Sequence, residues 1–262
     1  MADGTGSGPV IDQPPPRMYS LPSATWAASH NIIVTFTRWR LPLAREDASV
    51  LRDDVYRRPL ATALDRLGVG PGWKAVDVGA GRGDVAVALA EIVGHGGRIY
   101  AVDSDPLARD ETARAAGAYS QVLAITQGAE DLLLPEPVDL AFCRFLLLHV
   151  IDPLSVLARM AAAVRPQGWV VAQEPITSAG RVGGLPLSMP DARHPDVGAL
   201  LPSLVRASGL ELVDAWAEAP ADAGPGPVAR YLAELTGVDP EDDPIVLPPL
   251  VTVLARKPDS VR

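Results

Sequence analysis

From residue 73 onward the chain alternates short apolar runs with longer stretches whose apolar residues recur every three or four positions. The runs at 73–78, 98–103, 121–126, 138–143 and 169–173 are Val-, Ile-, Leu- and Ala-rich and predict five strands. Between them, helices are predicted from about Gly83 to Val93, from Pro106 to about Ala116 before Gly117, and from Asp152-Pro153 to near Arg165-Pro166-Gln167-Gly168. Asp152 is the N-cap of that last helix and Pro153 its first-turn residue. Strand and helix in alternation imply a parallel sheet flanked by helices. Val197 to Ser208, ended by Gly209, predicts a further helix, Leu210 to Ala217 a strand and Val228 to Leu235 a short helix. Pro220 to Pro227 reads as loop, and Ile245 to Ala255 as a final strand that takes Pro248 and Pro249 at a bulge or at its start.

Two stretches break the alternation. Ile176 to Pro195 carries Gly180, Gly183, Gly184, Pro186, Pro190 and Pro195 and cannot form a regular helix. Upstream, Met1 to Pro16 is rich in Gly, Ser and Pro and cannot bury enough apolar surface to order itself. After it, Trp26, Ile32, Ile33, Val34, Phe36 and Trp39 recur at helical spacing and predict two short helices, followed by an amphipathic helix from Asp53 to Leu67 closed by Gly68 and Pro71. The expected organisation is a disordered tail over 1–16 and one domain over 17–262, with N-terminal helices over 17–67 and a lid-like insertion over 175–196.

Composition narrows the class. A 262-residue chain that is 48% hydrophobic suffices for one α/β domain. A net charge of −9 argues against binding a nucleic-acid backbone. No apolar run long enough to span a membrane occurs, and the N-terminus lacks the pattern of a signal peptide. The one cysteine, Cys143, excludes an internal disulfide and a Cys-based zinc site. A cytoplasmic enzyme, monomer or homodimer, with no metal, nucleic-acid or membrane partner is expected.

The candidate chemistry centres on Val76-Asp77-Val78-Gly79-Ala80-Gly81-Arg82-Gly83. Small residues at 79–81 let the backbone turn sharply and approach a ligand, and the helix that follows aims its free N–H groups at the same spot. That suits a nucleotide-like ligand at the carboxyl end of a first parallel strand. Asp77, a carboxylate at the end of a buried strand, must be paired or hydrogen-bonded. About twenty residues on, Arg98-Ile99-Tyr100-Ala101-Val102-Asp103 ends in an acid placed to accept both ribose hydroxyls of an adenosine.

Asp77-x-Gly79-x-Gly81-x-Gly83 followed by a strand ending at Asp103 resembles the class I S-adenosylmethionine-dependent methyltransferases. Arg144-Phe145-Leu146-Leu147-Leu148-His149-Val150-Ile151-Asp152-Pro153 resembles the fourth-motif region of the menaquinone- and ubiquinone-type members and their small-molecule relatives. Arg165-Pro166-Gln167-Gly168 before an apolar strand and an acid also fits, with Gln167 in place of the commoner glycine. The resemblance spans about Leu60 to Pro258. It implies a doubly wound, mostly parallel seven-stranded sheet of order 3-2-1-4-5-7-6 with an antiparallel final strand. It also implies a helical cover before the first strand, a substrate-shaping lid after the fifth, and S-adenosyl-L-methionine as cofactor.

The resemblance further implies cofactor contacts from Asp77, Gly79, Ala80, Gly81, Gly83, Asp103 and Ser104. It places the adenine at the loop of Gly128, Ala129, Glu130 and Asp131, with the contact open among the last three. Glu130 and Asp131 also read as acids favoured by a helix N-terminus. Cys143, Arg144 and Phe145 are implied beneath the methionine part. Tyr19, His30 and Arg38 line the site or serve as ordinary packing and surface residues. For an acceptor base the order is Glu174, His194, His149 and His30, with Arg193 and Asp191 as further polar groups of the lid. His149 alternatively corresponds to a structural histidine, and Glu174 alternatively pairs with Arg144. The implied function is methyl transfer to the O, N or C of a small molecule, in tailoring of a natural product. The alternatives are a related cyclase or pericyclase that binds the cofactor without spending its methyl group, and a non-catalytic binder.

Overall fold

The computed structural model describes residues 46–187, 192–236, 240 and 242–259. The predicted tail and first two helices, with Tyr19, His30 and Arg38, lie outside the described residues, as does Asp191.

The central sheet contains β1 (Lys74–Val78), β2 (Arg98–Asp103), β3 (Val122–Thr126), β4 (Val138–Arg144), β5 (Val164–Pro175), β8 (Glu211–Glu218) and β11 (Leu250–Arg256). Their order is β3-β2-β1-β4-β5-β11-β8. The first five run parallel, and β11 is antiparallel to both β5 and β8. Counted within this sheet alone, that is the expected 3-2-1-4-5-7-6. Side chains alternate between two buried layers, as the two-residue strand repeat demands. Ala75, Ile99, Leu140, Phe142 and Val171 pack with α1 (Glu46–Leu67) and α2 (Asp84–Val93). Val76, Val78, Val102, Ala141, Cys143, Val170 and Ala172 pack on the opposite face with α4 (Pro153–Ala163) and α5 (Val197–Ala207). α3 (Pro106–Ala115) covers β2 and β3, and α6 (Pro227–Thr236) lies along α1. Asp105 and Asp152 cap α3 and α4 by accepting the N–H of Leu107 and Leu154, each with Pro next in sequence.

Three predicted elements change. α1 extends seven residues upstream of its predicted start at Asp53. The predicted final strand is two strands. Ile245–Val246 (β10) belongs to a second sheet, and Leu247, Pro248 and Pro249 intervene before β11 joins the central one. Prolines cannot donate to a ladder, so pairing breaks there, and the Pro249 carbonyl instead accepts the N–H of Ile176. The segments read as lid and loop supply the rest of that sheet: β6 (Arg181–Val182), β7 (Leu185–Pro186) and β9 (Ala221–Asp222), in the order β7-β6-β10-β9. Gly183 and Gly184, both at positive φ, make the two-residue turn of the β6–β7 hairpin. Among the described residues no helix is long and apolar enough to cross a membrane.

Candidate functional site

The glycine turn lies between β1 and α2 and is held from β2 and α3. The N–H groups of Gly79 and Ala80 both donate to the Val102 carbonyl, at 2.8 and 3.0 Å. Thr112 Oγ1 donates to the Gly81 carbonyl at 2.9 Å. Gly79, Gly81 and Gly83 all have positive φ, where a side chain is strained, and Gly79 and Gly83 also lack room for one. A Cβ on Gly79 would come within 2.8 Å of Leu146 Cδ1, and one on Gly83 within 3.0 Å of Thr112. A Cβ on Gly81 would meet nothing within 4 Å, so the space above the turn is open there.

Beside this turn is a cleft of about 240 Å³. Gly79, Asp103, Ser104, Gln127, Ala129 and Glu130 line one part of it, and Leu146, His149, Val150 and Ile151 the other. It lies at the carboxyl ends of β1 to β4, where doubly wound sheets bind ligands. Asp103 Oδ2 accepts the Gly81 N–H and Oδ1 the Asp105 N–H, each at 2.9 Å, so the carboxylate is aimed before any ligand arrives. Partial desolvation lowers the His149 pKa below the ordinary imidazole value, although the side chain remains largely accessible.

Six predicted residues therefore line the cleft: Gly79, Asp103, Ser104, Ala129, Glu130 and His149. Gly81 and Gly83 shape the turn, Ala80 is buried within it, and Gly128 precedes the short 3₁₀ turn Ala129–Asp131. The other predicted residues point elsewhere. Asp77 is buried on the α2 face, where burial, reinforced by Asp103, raises its pKa to about 7 against the pull of Arg144, Arg52 and the Ala86 N–H. Arg144, two residues beyond Phe142 on the same face, pairs with Asp84, which also meets Arg52 at 3.4 Å. It does not pair with Glu174. Cys143 is fully buried on the opposite face, where burial pushes its thiol pKa up. Phe145 stacks edge-on against Tyr56 at 4.9 Å and adopts φ +54, a strained value for a non-glycine residue.

Two of the expected bases are also displaced. Glu174 has no exposed surface, and its Oε1 accepts the N–H groups of Leu146 and Leu147 at 2.8 and 2.7 Å. Its burial corrects the expectation of a base facing an acceptor. His194 approaches the Ile151 carbonyl through Nε2 at 3.3 Å and donates its backbone N–H to the Leu148 carbonyl at 3.0 Å. It buttresses the segment after β4 from outside the cleft lining. Sequence reasoning missed Gln127, Leu146, Val150 and Ile151. Gln127 directly follows β3, so its position at a strand's carboxyl end was a usable signal. The three apolar residues are indistinguishable in sequence from core.

The fold and the turn define a doubly wound domain that binds a nucleotide-like cofactor. The chain belongs to the methyltransferase-domain family, which it matches over residues 51–215. It is 34% identical over 122 residues to the demethylmenaquinone methyltransferase of Lysinibacillus sphaericus, covering 46% of this chain and 51% of that one. It is 32% identical over 123 residues to the nocamycin O-methyltransferase of Saccharothrix syringae, covering 45% and 44%. The chain thus spans about half the length of these curated relatives. Among solved structures, a SAM-dependent methyltransferase from Aquifex aeolicus aligns with a TM-score of 0.55 at 16% identity, covering 81% of this chain and all of that one. The [4+2]-cyclase SpnF aligns at 0.53 and 19% identity, covering 78% and 82%. At these identities the likeness is one of fold.

The family's cofactor is S-adenosylmethionine, and the residues present fit it. Asp103 is a carboxylate of the kind that would accept a vicinal diol, and the polar residues Ser104, Gln127 and Glu130 line the cleft with it. Gly81 leaves open the space that any side chain would fill.

Proposed function

We propose that this chain transfers a methyl group from S-adenosylmethionine to a small-molecule acceptor in natural-product tailoring. The observation that carries this is the Asp103 carboxylate, held by two backbone N–H groups in the lining of a cleft that Gly79 also lines. The resemblance to nocamycin O-methyltransferase favours tailoring and an oxygen acceptor. When bound, S-adenosylmethionine supplies a methyl group already activated by its positive sulfur. The protein's own work is then alignment, water exclusion and, for a hydroxyl acceptor, removal of a proton.

In this reading Asp103 accepts the ribose hydroxyls, and Ser104, Gln127, Ala129 and Glu130 bound the nucleoside. Gly79 and Gly81 give the backbone close approach. Leu146, Val150 and Ile151 form an apolar wall that excludes water on the acceptor side. His149 is the titratable side chain on that wall. Its lowered pKa leaves the imidazole neutral at pH 7 and able to take the acceptor's proton.

Titration calorimetry with S-adenosylhomocysteine tests the cofactor half. The parent should bind and Gly81→Val should not, because the valine side chain enters the ligand's space. Equal affinity in a folded Gly81→Val variant would remove the site from this turn. Methyl-labelled cofactor with a panel of phenolic, enolic and amine acceptors tests the chemistry. Label in the product is the expected result, whereas converted product without label would put the chain with non-methylating cyclases.

A further inference from the structure

We infer that Glu174 is a positioning residue for the cofactor cleft, acting through the backbone of the segment that follows β4. The inference rests on the reading that the cleft holds the cofactor.

Glu174 is the penultimate residue of β5 and leans toward the face that carries Cys143. Its Oε1 collects the N–H groups of Leu146 and Leu147, and the Leu148 N–H is also directed at the carboxyl group. Two successive backbone donors on one oxygen, with a third directed at the same carboxyl group, form a nest, the geometry that binds a small anion elsewhere. Here the chain's own carboxyl group fills it. Leu147 and Leu148 have no exposed surface, so water cannot replace Glu174 if it is lost.

The segment held this way is the cleft's apolar wall. It carries Leu146, His149, Val150 and Ile151, and the His149 N–H closes it into a turn on the Leu146 carbonyl at 2.9 Å. Leu146 leads directly to the cofactor turn, since its Cδ1 already occupies the space next to Gly79 that a Cβ would need. Immediately before it, Phe145 is held at φ +54, with its N–H on the Gln173 carbonyl at 3.0 Å. A strained residue persists only where its surroundings over-determine it. Glu174 supplies that determination one residue downstream and sets the distance between the wall and the glycine turn.

A group acting this way needs an acceptor oxygen and no negative charge, so glutamine should replace it and alanine should not. A base would show the opposite dependence on the conservative variant. Glu174→Gln should bind S-adenosylhomocysteine within about threefold of the parent and keep turnover within the same order. Glu174→Ala should retain a cooperative melt but lose at least about tenfold in that affinity, with faster amide hydrogen exchange over residues 145–151 than in Glu174→Gln. Unchanged affinity in a folded Glu174→Ala variant would overturn the inference. So would a loss of about 10²–10⁴ in turnover in Glu174→Gln with normal cofactor binding, which would make Glu174 the base. If Glu174→Ala does not fold, the glutamine variant alone decides between these. If the parent itself fails to bind S-adenosylhomocysteine, the reading of the cleft falls. Exchange over 145–151 then judges Glu174 separately, and unchanged protection in Glu174→Ala would overturn its positioning role.

Discussion

The burial of Glu174 has a consequence for stability that is separable from its effect on the cleft. The carboxyl group has no exposed surface, and burial pushes its pKa up to about 8, although the N–H groups of Leu147, Leu146 and Leu148 oppose the rise. In the unfolded chain it titrates near 4.3. Between those values the native state holds a proton that the unfolded state has released, so stability must fall as pH rises. At 1.36 kcal/mol for each tenfold in proton affinity, the Glu174 contribution falls by roughly 3–4 kcal/mol between pH 5 and pH 8. Glu174→Gln imitates the protonated side chain at every pH. It should match the parent below about pH 4, exceed it by about 1 kcal/mol near pH 5 and by roughly 4–5 kcal/mol near pH 8, and show a flatter dependence between. Asp77, with its pKa raised to about 7, contributes a slope of the same sign that persists in both proteins and cancels in the difference. Urea unfolding of parent and variant at pH 5, 6.5 and 8 measures this. A variant that keeps the parent's full slope, or is less stable than the parent at pH 8, would mean that Glu174 is ionised in the fold and stabilised by its nest, refuting the reasoning.

Three other outcomes are expected. Asp103→Ala should weaken S-adenosylhomocysteine binding at least ~10-fold, since each charge-assisted hydrogen bond contributes roughly 1.5–3 kcal/mol, and calorimetry within about twofold of the parent would reduce Asp103 to a brace for the turn. Arg144→Met should destabilise the fold by roughly 3–5 kcal/mol in urea, because it leaves Asp84 and the buried Asp77 without that cation, and a change under about 1 kcal/mol would show the pair to be solvated. Gln167→Gly should stabilise by about 0.5–1 kcal/mol in the same assay, because Gln167 sits at φ +61 where a Cβ is strained, whereas Gln167→Val should destabilise.

Local physics alone determined much of this protein. The apolar runs, the proline-capped helix starts and the Asp77 to Gly83 turn depend on side-chain periodicity and on backbone angles only glycine takes easily, and both are written residue by residue. The Gln167 position shows the same logic, since the glycine expected there corresponds to a left-handed backbone. The acid at the end of β2 was legible because a fixed strand–turn–helix spacing brings Asp103 beside the turn. What only the tertiary structure decided were the partners of groups far apart in sequence. Arg144 finds Asp84 on α2, and Glu174 finds the backbone N–H groups of Leu146 and Leu147. Backbone donors leave no trace in a sequence, so a carboxyl group that fills a nest reads there as a free base. The split of the last predicted strand between two sheets likewise rests on a pairing with β6 and β9 that no local pattern encodes. The apolar wall of the cleft was hidden for a related reason. Leu146, Val150 and Ile151 carry the hydrophobicity of core residues, and only the packed fold leaves their side chains facing a cavity.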